Sequence, residues 1–300
     1  MPNFVSVEDL IERFEEQGYI CGPQVATPVF LMDRLQKPLL VEGPPGVGKT
    51  EIAKTLATAL DFRLIRLQCY EGIDESKALY EWEYTKQLLY TQMLKDRIGE
   101  LLAAASTLDE AVELLHAQEH AFFSRRFLLP RPLLDAILSP LPTVLLIDEV
   151  DRSDDEFESF LLEVLGEFQV SIPELGTLQA VQRPLVILTS NANRKLSEAL
   201  RRRCLYLHID YPDADQESRI VRHKVPHMPK QLADQVVRFV QKVRRSPVRK
   251  APSISETLDW AVALVALNAR NLAPDVLKSS LSVLLKDKED IERVLRDGAG

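Results

Sequence analysis

GPPGVGKT (43–50) lies between PLLVE (38–42) and EIAKTLATAL (51–60), and the reading of this junction decides the fold. PLLVE is a compact apolar run bounded by proline and glycine, which predicts a buried strand. EIAKTLATAL carries Ile52, Leu56, Ala59 and Leu60 on one helical face. The eight residues between satisfy G-x-x-x-x-G-K-[ST], and a strand before with a helix after separates a phosphate-binding loop from a chance glycine-rich turn. Gly43, Gly46 and Gly48 let backbone N–H groups curl around phosphate oxygens with no Cβ in the way. The helix starting near Lys49 points its positive dipole end at the same anion. Lys49 then reaches the β- and γ-phosphates of ATP, and the Thr50 hydroxyl is a ligand for Mg²⁺. The expected ATP-binding set is Gly43, Pro44, Pro45, Gly46, Val47, Gly48, Lys49, Thr50 and Glu51, joined by Asp148.

Asp148 comes from LLIDEVD (145–151), a second apolar run that ends in carboxylates. A strand delivering Asp148 at its C-terminal end sets an oxygen ligand beside the metal, where ligands bind in open α/β sheets. Glu149 follows, a carboxylate able to orient and deprotonate an attacking water. The competing explanation is an acidic strand end with solvated charges. Asn191, just past a fourth strand, either holds that water, senses the γ-phosphate, or closes a plain Asx turn. Arg201, Arg202 and Arg203 precede a fifth strand. They read either as an arginine finger for a neighbouring subunit's γ-phosphate, Arg203 first and Arg202 second, or as a basic helix end favoured by the macrodipole.

Strands are expected at 38–42, 63–67, 143–147, 185–189 and 205–209, alternating with helices, so the class is α/β with a parallel five-stranded sheet. Residues 168–180 read as a hairpin turning near Glu174, Leu175 and Gly176. Residues 68–142 exceed any single crossover and form a helical insertion, strongly helical from Met93 to Phe127. After Tyr211-Pro212 the strand signal stops. The expected organisation is an ATPase core over 1–210 and a helical lid over 211–300.

The chain has 46% hydrophobic and 27% charged residues, values of a globular protein with a core. A net charge of −8 argues against a nucleic-acid or anionic-membrane binder. The three scattered cysteines, Cys21, Cys69 and Cys204, fit a reducing compartment and supply no CxxC zinc site. The N-terminus has no signal-peptide pattern, and no apolar run approaches the roughly 20 residues a membrane span needs. A soluble cytoplasmic protein is expected. HAQEH (116–120) matches an inverted zinc-peptidase pattern, but no third ligand is identifiable and a polar helix face explains it. HKVPH (223–227) is broken by proline. Lys242, Arg244, Arg245, Arg249 and Lys250 form a basic cluster, read as a solvated helix end before a nucleic-acid or acidic-client contact.

With these motifs in order, the chain resembles the MoxR branch of AAA+ ATPases. VEGPPGVGKTEIAKTLA (41–57), LLIDEVDR (145–152), LLEVLGEFQVSIPELG (161–176) and LTSNANRKLSEALRRRC (188–204) carry the resemblance. QCYEGIDESKALYEW (68–82) and RRRCLYLHIDYP (201–212) look most like CoxD-type members. The resemblance implies a homo-oligomeric ring, usually a hexamer, with ATP between subunits and a C-terminal helical lid. It also implies a partner with a von Willebrand factor A domain and a chaperone role toward a client metalloenzyme. For CoxD-type members that client is carbon monoxide dehydrogenase, with its molybdenum–copper centre, or a related molybdenum hydroxylase. An insert over Cys69 to about Tyr84 is implied to face the ring axis, so Tyr70, Tyr80, Trp82 and Tyr84 are expected to grip the client, with Tyr80 or Trp82 exposed. Core packing against the neighbouring insertion is the alternative. One departure stands out: where relatives carry a sensor-2 arginine, this chain reads APSISETLDWA (251–261), with Glu256 or Ser255 in its place and Arg249 or Lys250 as substitutes. The rival readings are a DNA-directed AAA+ motor or loader, and a scaffold that binds ATP without turnover.

Overall fold

The computed structural model describes residues 3–96, 99, 107, 110 and 124–297. Two amphipathic helices, α1 (Val7–Glu16) and α2 (Pro23–Leu35), lead into β1 (Leu39–Glu42), and α3 (Lys49–Leu60) and β2 (Arg63–Gln68) follow. The segment between β2 and the next sheet strand holds α4 (Glu75–Ala78), β3 (Tyr80–Trp82), α5 (Tyr84–Met93), β4 (Leu128–Pro130) and α6 (Pro132–Leu138). The chain continues through β5 (Thr143–Asp148), α7 (Asp155–Glu167), the hairpin β6 (Gln169–Ile172) and β7 (Gly176–Gln179), β8 (Leu185–Ser190), α8 (Glu198–Arg203) and β9 (Leu205–His208). Five helices close it: α9 (Ala214–Lys224), α10 (Lys230–Arg245), α11 (Ile254–Ala266), α12 (Pro274–Leu284) and α13 (Lys288–Asp297).

The sheet runs β2-β5-β8-β1-β9, and every neighbouring pair is parallel. The three inner strands, β5, β8 and β1, are covered on both faces, and five residues of each six-residue inner strand (TVLLI, LVILT) are apolar or threonine for that reason. The side-chain period of two then sorts them. Leu40, Leu145, Ile147, Val186 and Leu188 face one core with α6, α7 and the hairpin. Leu39, Val41, Val144, Leu146, Leu185 and Ile187 face the other, with α1, α2 and α3. A third apolar cluster joins α9 to α13 around Trp260. At its edge the Arg244 guanidinium pairs with both oxygens of the fully buried Glu217 at 2.7 Å.

The described part of the insertion holds the helices α4, α5 and α6 and adds a strand pair to them. β3 and β4 form an antiparallel pair, Trp82 opposite Leu128, so strands bracket the excursion. Its far end, Arg125–Phe127, is a 3₁₀ turn; most of the helix expected over 93–127, with HAQEH (116–120), lies outside the described residues. The pairing also corrects the expected exposure of the aromatics. Trp82 is buried with Phe127 and Leu128, and Tyr80 is half-buried, its ring edge-on to Trp82 with centroids 6.1 Å apart. Neither is exposed, because a strand pair buries alternate side chains against the core beneath it. Tyr70 and Tyr84 are exposed.

Trp82→Ala is therefore expected to destabilise the chain by about 3 kcal/mol, while Tyr84→Ala stays within about 0.5 kcal/mol. Urea unfolding followed by circular dichroism measures both.

Candidate functional site

The C-terminal ends of β1, β5 and β8 converge on the loop 43–50, and a cavity of about 940 Å³ opens there. Gly46 (φ 74°) and Gly48 (φ 96°) occupy the left-handed region that a side chain resists. A Cβ on Gly46 would lie 2.4 Å from the Ser253 hydroxyl, so the loop also needs glycine for close approach to the C-terminal helices. Lys49 opens α3, and its ammonium donates to Gly43 O and Pro44 O, each at 2.7 Å, and to Asn191 Oδ1 at 2.8 Å. Burial holds this ammonium below the usual lysine range, opposed by the charges of Asp151, Asp148 and Glu149.

Asp148 is buried at the end of β5. Its Oδ1 accepts from Thr50 Oγ1 at 3.0 Å and from the Thr189 hydroxyl, and its Oδ2 accepts from Arg66 Nε at 3.0 Å. Glu149 sits at φ 56°, a left-handed turn that aims its carboxylate away from the strand line. Its oxygens accept from Gln68 Nε2 at 3.0 Å and Asn191 Nδ2 at 3.3 Å, and Arg152 Nε lies 3.0 Å away. Asn191 thus touches both Lys49 and Glu149. The loop that carries it is pinned by the buried Asp151, which accepts from the N–H groups of Asn191 (3.1 Å) and Asn193 (3.0 Å) and from Asn193 Nδ2 (2.9 Å).

Lys49, Thr50, Asp148, Glu149 and Asn191 are brought together, with Pro45, Gly46, Val47, Gly48 and Glu51 lining the same cavity. Glu51 pairs with Lys54 at 3.3 Å. The arginines of α8 do not line it. Arg201 bonds Glu42 at 3.2 Å and stacks over Tyr206, and Arg202 pairs with Glu198 at 2.5 Å. Arg203 is exposed, lies against Gly166 of α7, and makes no ion pair among the described residues. Ser253 and Glu256 form a capping box at the start of α11, so Glu256 serves the helix end. Arg249 pairs with Asp287 and Glu289, Lys250 reaches Glu256 at 3.7 Å, and neither lines the cavity. Arg244 leaves the expected basic cluster altogether through its buried pair with Glu217.

Several lining residues carry no motif and escape sequence reading. Tyr19, Ile20, Cys21, Tyr211, Ile220 and Leu258 form an apolar wall drawn from four separate segments. Burial pushes the Cys21 thiol up to about 11, so it is a neutral packing group. Arg66 and Gln68 were legible only as polar positions in the strand RLIRLQ.

The cradle fits a triphosphate: left-handed glycines expose N–H groups, and a buried cation and helix N-terminus face the cavity. Thr50 and Asp148 present the hard oxygen donors Mg²⁺ selects. Among the described residues no His/Cys/Asp/Glu group suited to a separate metal ion occurs, and no helix is long and apolar enough to cross a membrane.

Residues 38–204 match the AAA domain of the dynein-related subfamily. An uncharacterised protein of Staphylococcus aureus (strain bovine RF122 / ET3-1) is 23% identical over 244 residues, covering 78% of this chain and 77% of its own. A second, from S. aureus strain NCTC 8325, is 22% identical over the same share of each. Among solved structures, a point mutant of Thermotoga maritima RuvB superposes with a TM-score of 0.51 at 18% identity, covering 95% of this chain and 74% of that one. At this identity the likeness shows the fold: a five-stranded parallel AAA+ sheet followed by helices.

Asp151→Ala removes one acceptor from three donors of the 191–193 loop. The expected cost is about 2–3 kcal/mol, read by urea unfolding, together with a larger protease sensitivity at that loop than in the parent chain.

Proposed function

Because the chain belongs to the AAA domain family, dynein-related subfamily, we propose that it hydrolyses ATP within a ring of like subunits and uses the cycle to remodel a client metalloenzyme. The observation that carries the ATPase reading is the meeting of Lys49, Thr50, Asp148, Glu149 and Asn191 on one cavity, from the start of α3 and the C-terminal ends of β5 and β8. Lys49 and the 43–50 backbone hold the triphosphate, and Thr50 with Asp148 holds the metal. Mg²⁺ supplies charge neutralisation of the phosphate oxygens. Glu149 takes the proton of the attacking water, and Asn191, which already bonds Glu149 and Lys49, orients that water between them.

Arg203 is the finger of the neighbouring subunit. Its exposure, its position at the end of α8 and the two partners that engage Arg201 and Arg202 instead support that choice. The resemblance to MoxR and CoxD-type sequences supports a hexamer, a von Willebrand factor A partner and a molybdenum hydroxylase as client. Net charge −8 supports a protein client over a DNA track. With Trp82 in the core, the client contact moves to the exposed Tyr70, Tyr84, Leu88 and Met93.

Lys49→Ala is expected to abolish tight ATP binding, and Glu149→Gln to keep binding while turnover falls by about 10²-fold or more. Parent-rate hydrolysis by Glu149→Gln removes the general-base assignment. ATPase activity per subunit is expected to rise with protein concentration, since trans arginines contribute roughly 10³–10⁵ in GTPase precedents. Mixing Lys49→Ala with Arg203→Ala subunits is expected to restore part of the activity; concentration-independent turnover by a monomer rules the trans finger out. Co-expression with a molybdenum hydroxylase, followed by measurement of its bound metals, checks the client class. DNA binding that persists near physiological salt overturns the protein-client reading.

A further inference from the structure

Asp148 has two oxygens in different company. Oδ1 faces two hydroxyls, Thr50 and Thr189, neither of which carries charge. Among the described residues Oδ2 accepts only from Arg66, through Nε at 3.0 Å and a terminal nitrogen at 2.6 Å. The Asp148 side chain is 4% exposed and that of Arg66 50%. A buried carboxylate needs a charge partner, and an isolated one is costly to leave unpaired. Lys49 is not that partner by contact, because its three donor directions are taken by Gly43 O, Pro44 O and Asn191 Oδ1. The other cations lining the cavity, Lys54 and Lys224, make no contact with Asp148 among the described residues. Among the described residues, Arg66 is the cation in direct contact with it.

Arg66 stands on β2, an edge strand of the sheet, so one side of its long side chain is open to the cavity. A hydrogen bond and a metal–oxygen bond at Oδ2 draw on the same lone pairs. We propose that Arg66 is an exchangeable placeholder for the divalent cation: its guanidinium neutralises Asp148 while the metal is away and yields Oδ2 when the metal arrives with nucleotide. Arg66 is thus a positioning residue for the metal ligand, and the inference rests on Asp148 being a metal-site carboxylate. A guanidinium suits the role, because it stays charged at any physiological pH and binds a carboxylate through parallel N–H groups, yet its exposed half keeps the pairing reversible. Arriving phosphates offer the displaced cation a new anion inside the same cavity.

The test is the Mg²⁺ dependence of binding of a fluorescent ATP analogue by the full chain, with thermal melting of the nucleotide-free protein in parallel. Arg66→Gln is expected to lower the Mg²⁺ concentration for half-saturation by about tenfold, the scale of one charge-assisted bond discounted for exposure. The same variant melts at a lower temperature without nucleotide, and Mg²⁺-nucleotide raises its melting point by more than it raises the parent's. Arg66→Lys keeps the charge with fewer aligned donors, so its half-saturation falls between the two; it carries the test if the glutamine variant does not fold. Unchanged or raised half-saturation in both variants overturns the placeholder alone. Selective loss of ATP affinity over ADP at saturating Mg²⁺ also overturns it, making Arg66 a γ-phosphate contact instead. Parent-chain binding that ignores Mg²⁺ overturns the metal reading of Asp148 and the placeholder with it.

Discussion

One buried carboxylate organises the molecule. Asp148 ends β5, the third strand of the five-stranded sheet in chain order and second in its spatial order, and its oxygens accept from Thr50 on α3, Thr189 on β8 and Arg66 on β2. Three strands and the helix after the glycine loop are thereby held at one level, at the sheet edge where strand ends open a crevice. The charge tolerates burial only because those donors surround it. The neighbouring Glu149 follows from the same point: Thr189 Oγ1 accepts its N–H at 2.9 Å, and the left-handed turn swings its carboxylate toward Gln68 and Asn191.

The C-terminal helices meet this centre at a close backbone approach. Ser253 caps α11 and lies where a Cβ on Gly46 would stand, so the glycine loop and the helical cluster are in direct contact. Ser255 and Leu258 of α11 line the cavity, with Ile220 of α9. The Arg244–Glu217 pair ties α9 to α10, and Thr257 on α11 donates to Glu217 at 3.0 Å. Arg244 also lies over the ring of Tyr211, a lining residue, with 4.9 Å to the centroid. A shift of the helices is therefore felt at the apolar wall of the cavity and at the glycine loop together.

Most of the sheet and half of the site were legible because local rules govern them. The runs at 39–42, 143–148 and 185–190 are apolar enough to be inner strands whatever surrounds them. The loop 43–50 declares itself by glycine spacing and the hairpin at 169–179 by its turn near Gly176. Trp82 was misplaced because a three-residue strand has too few positions to show alternation, and its partner, Leu128, lies 46 residues on by the pairing register. Arg66 and Gln68 escaped for a related reason: their partners are set by the register of β2 against β5, Gln68 opposite Asp148.

By itself the sequence determined the α/β class, the phosphate-binding loop and the carboxylate pair at 148–149, since each depends on residues adjacent in the chain. Only the tertiary structure decided which cation pairs directly with Asp148, which arginine of α8 is left without an ion pair among the described residues, and which aromatics are core. Those outcomes hinge on pairings across tens of residues, where strand register and helix packing choose among several chemically equivalent candidates.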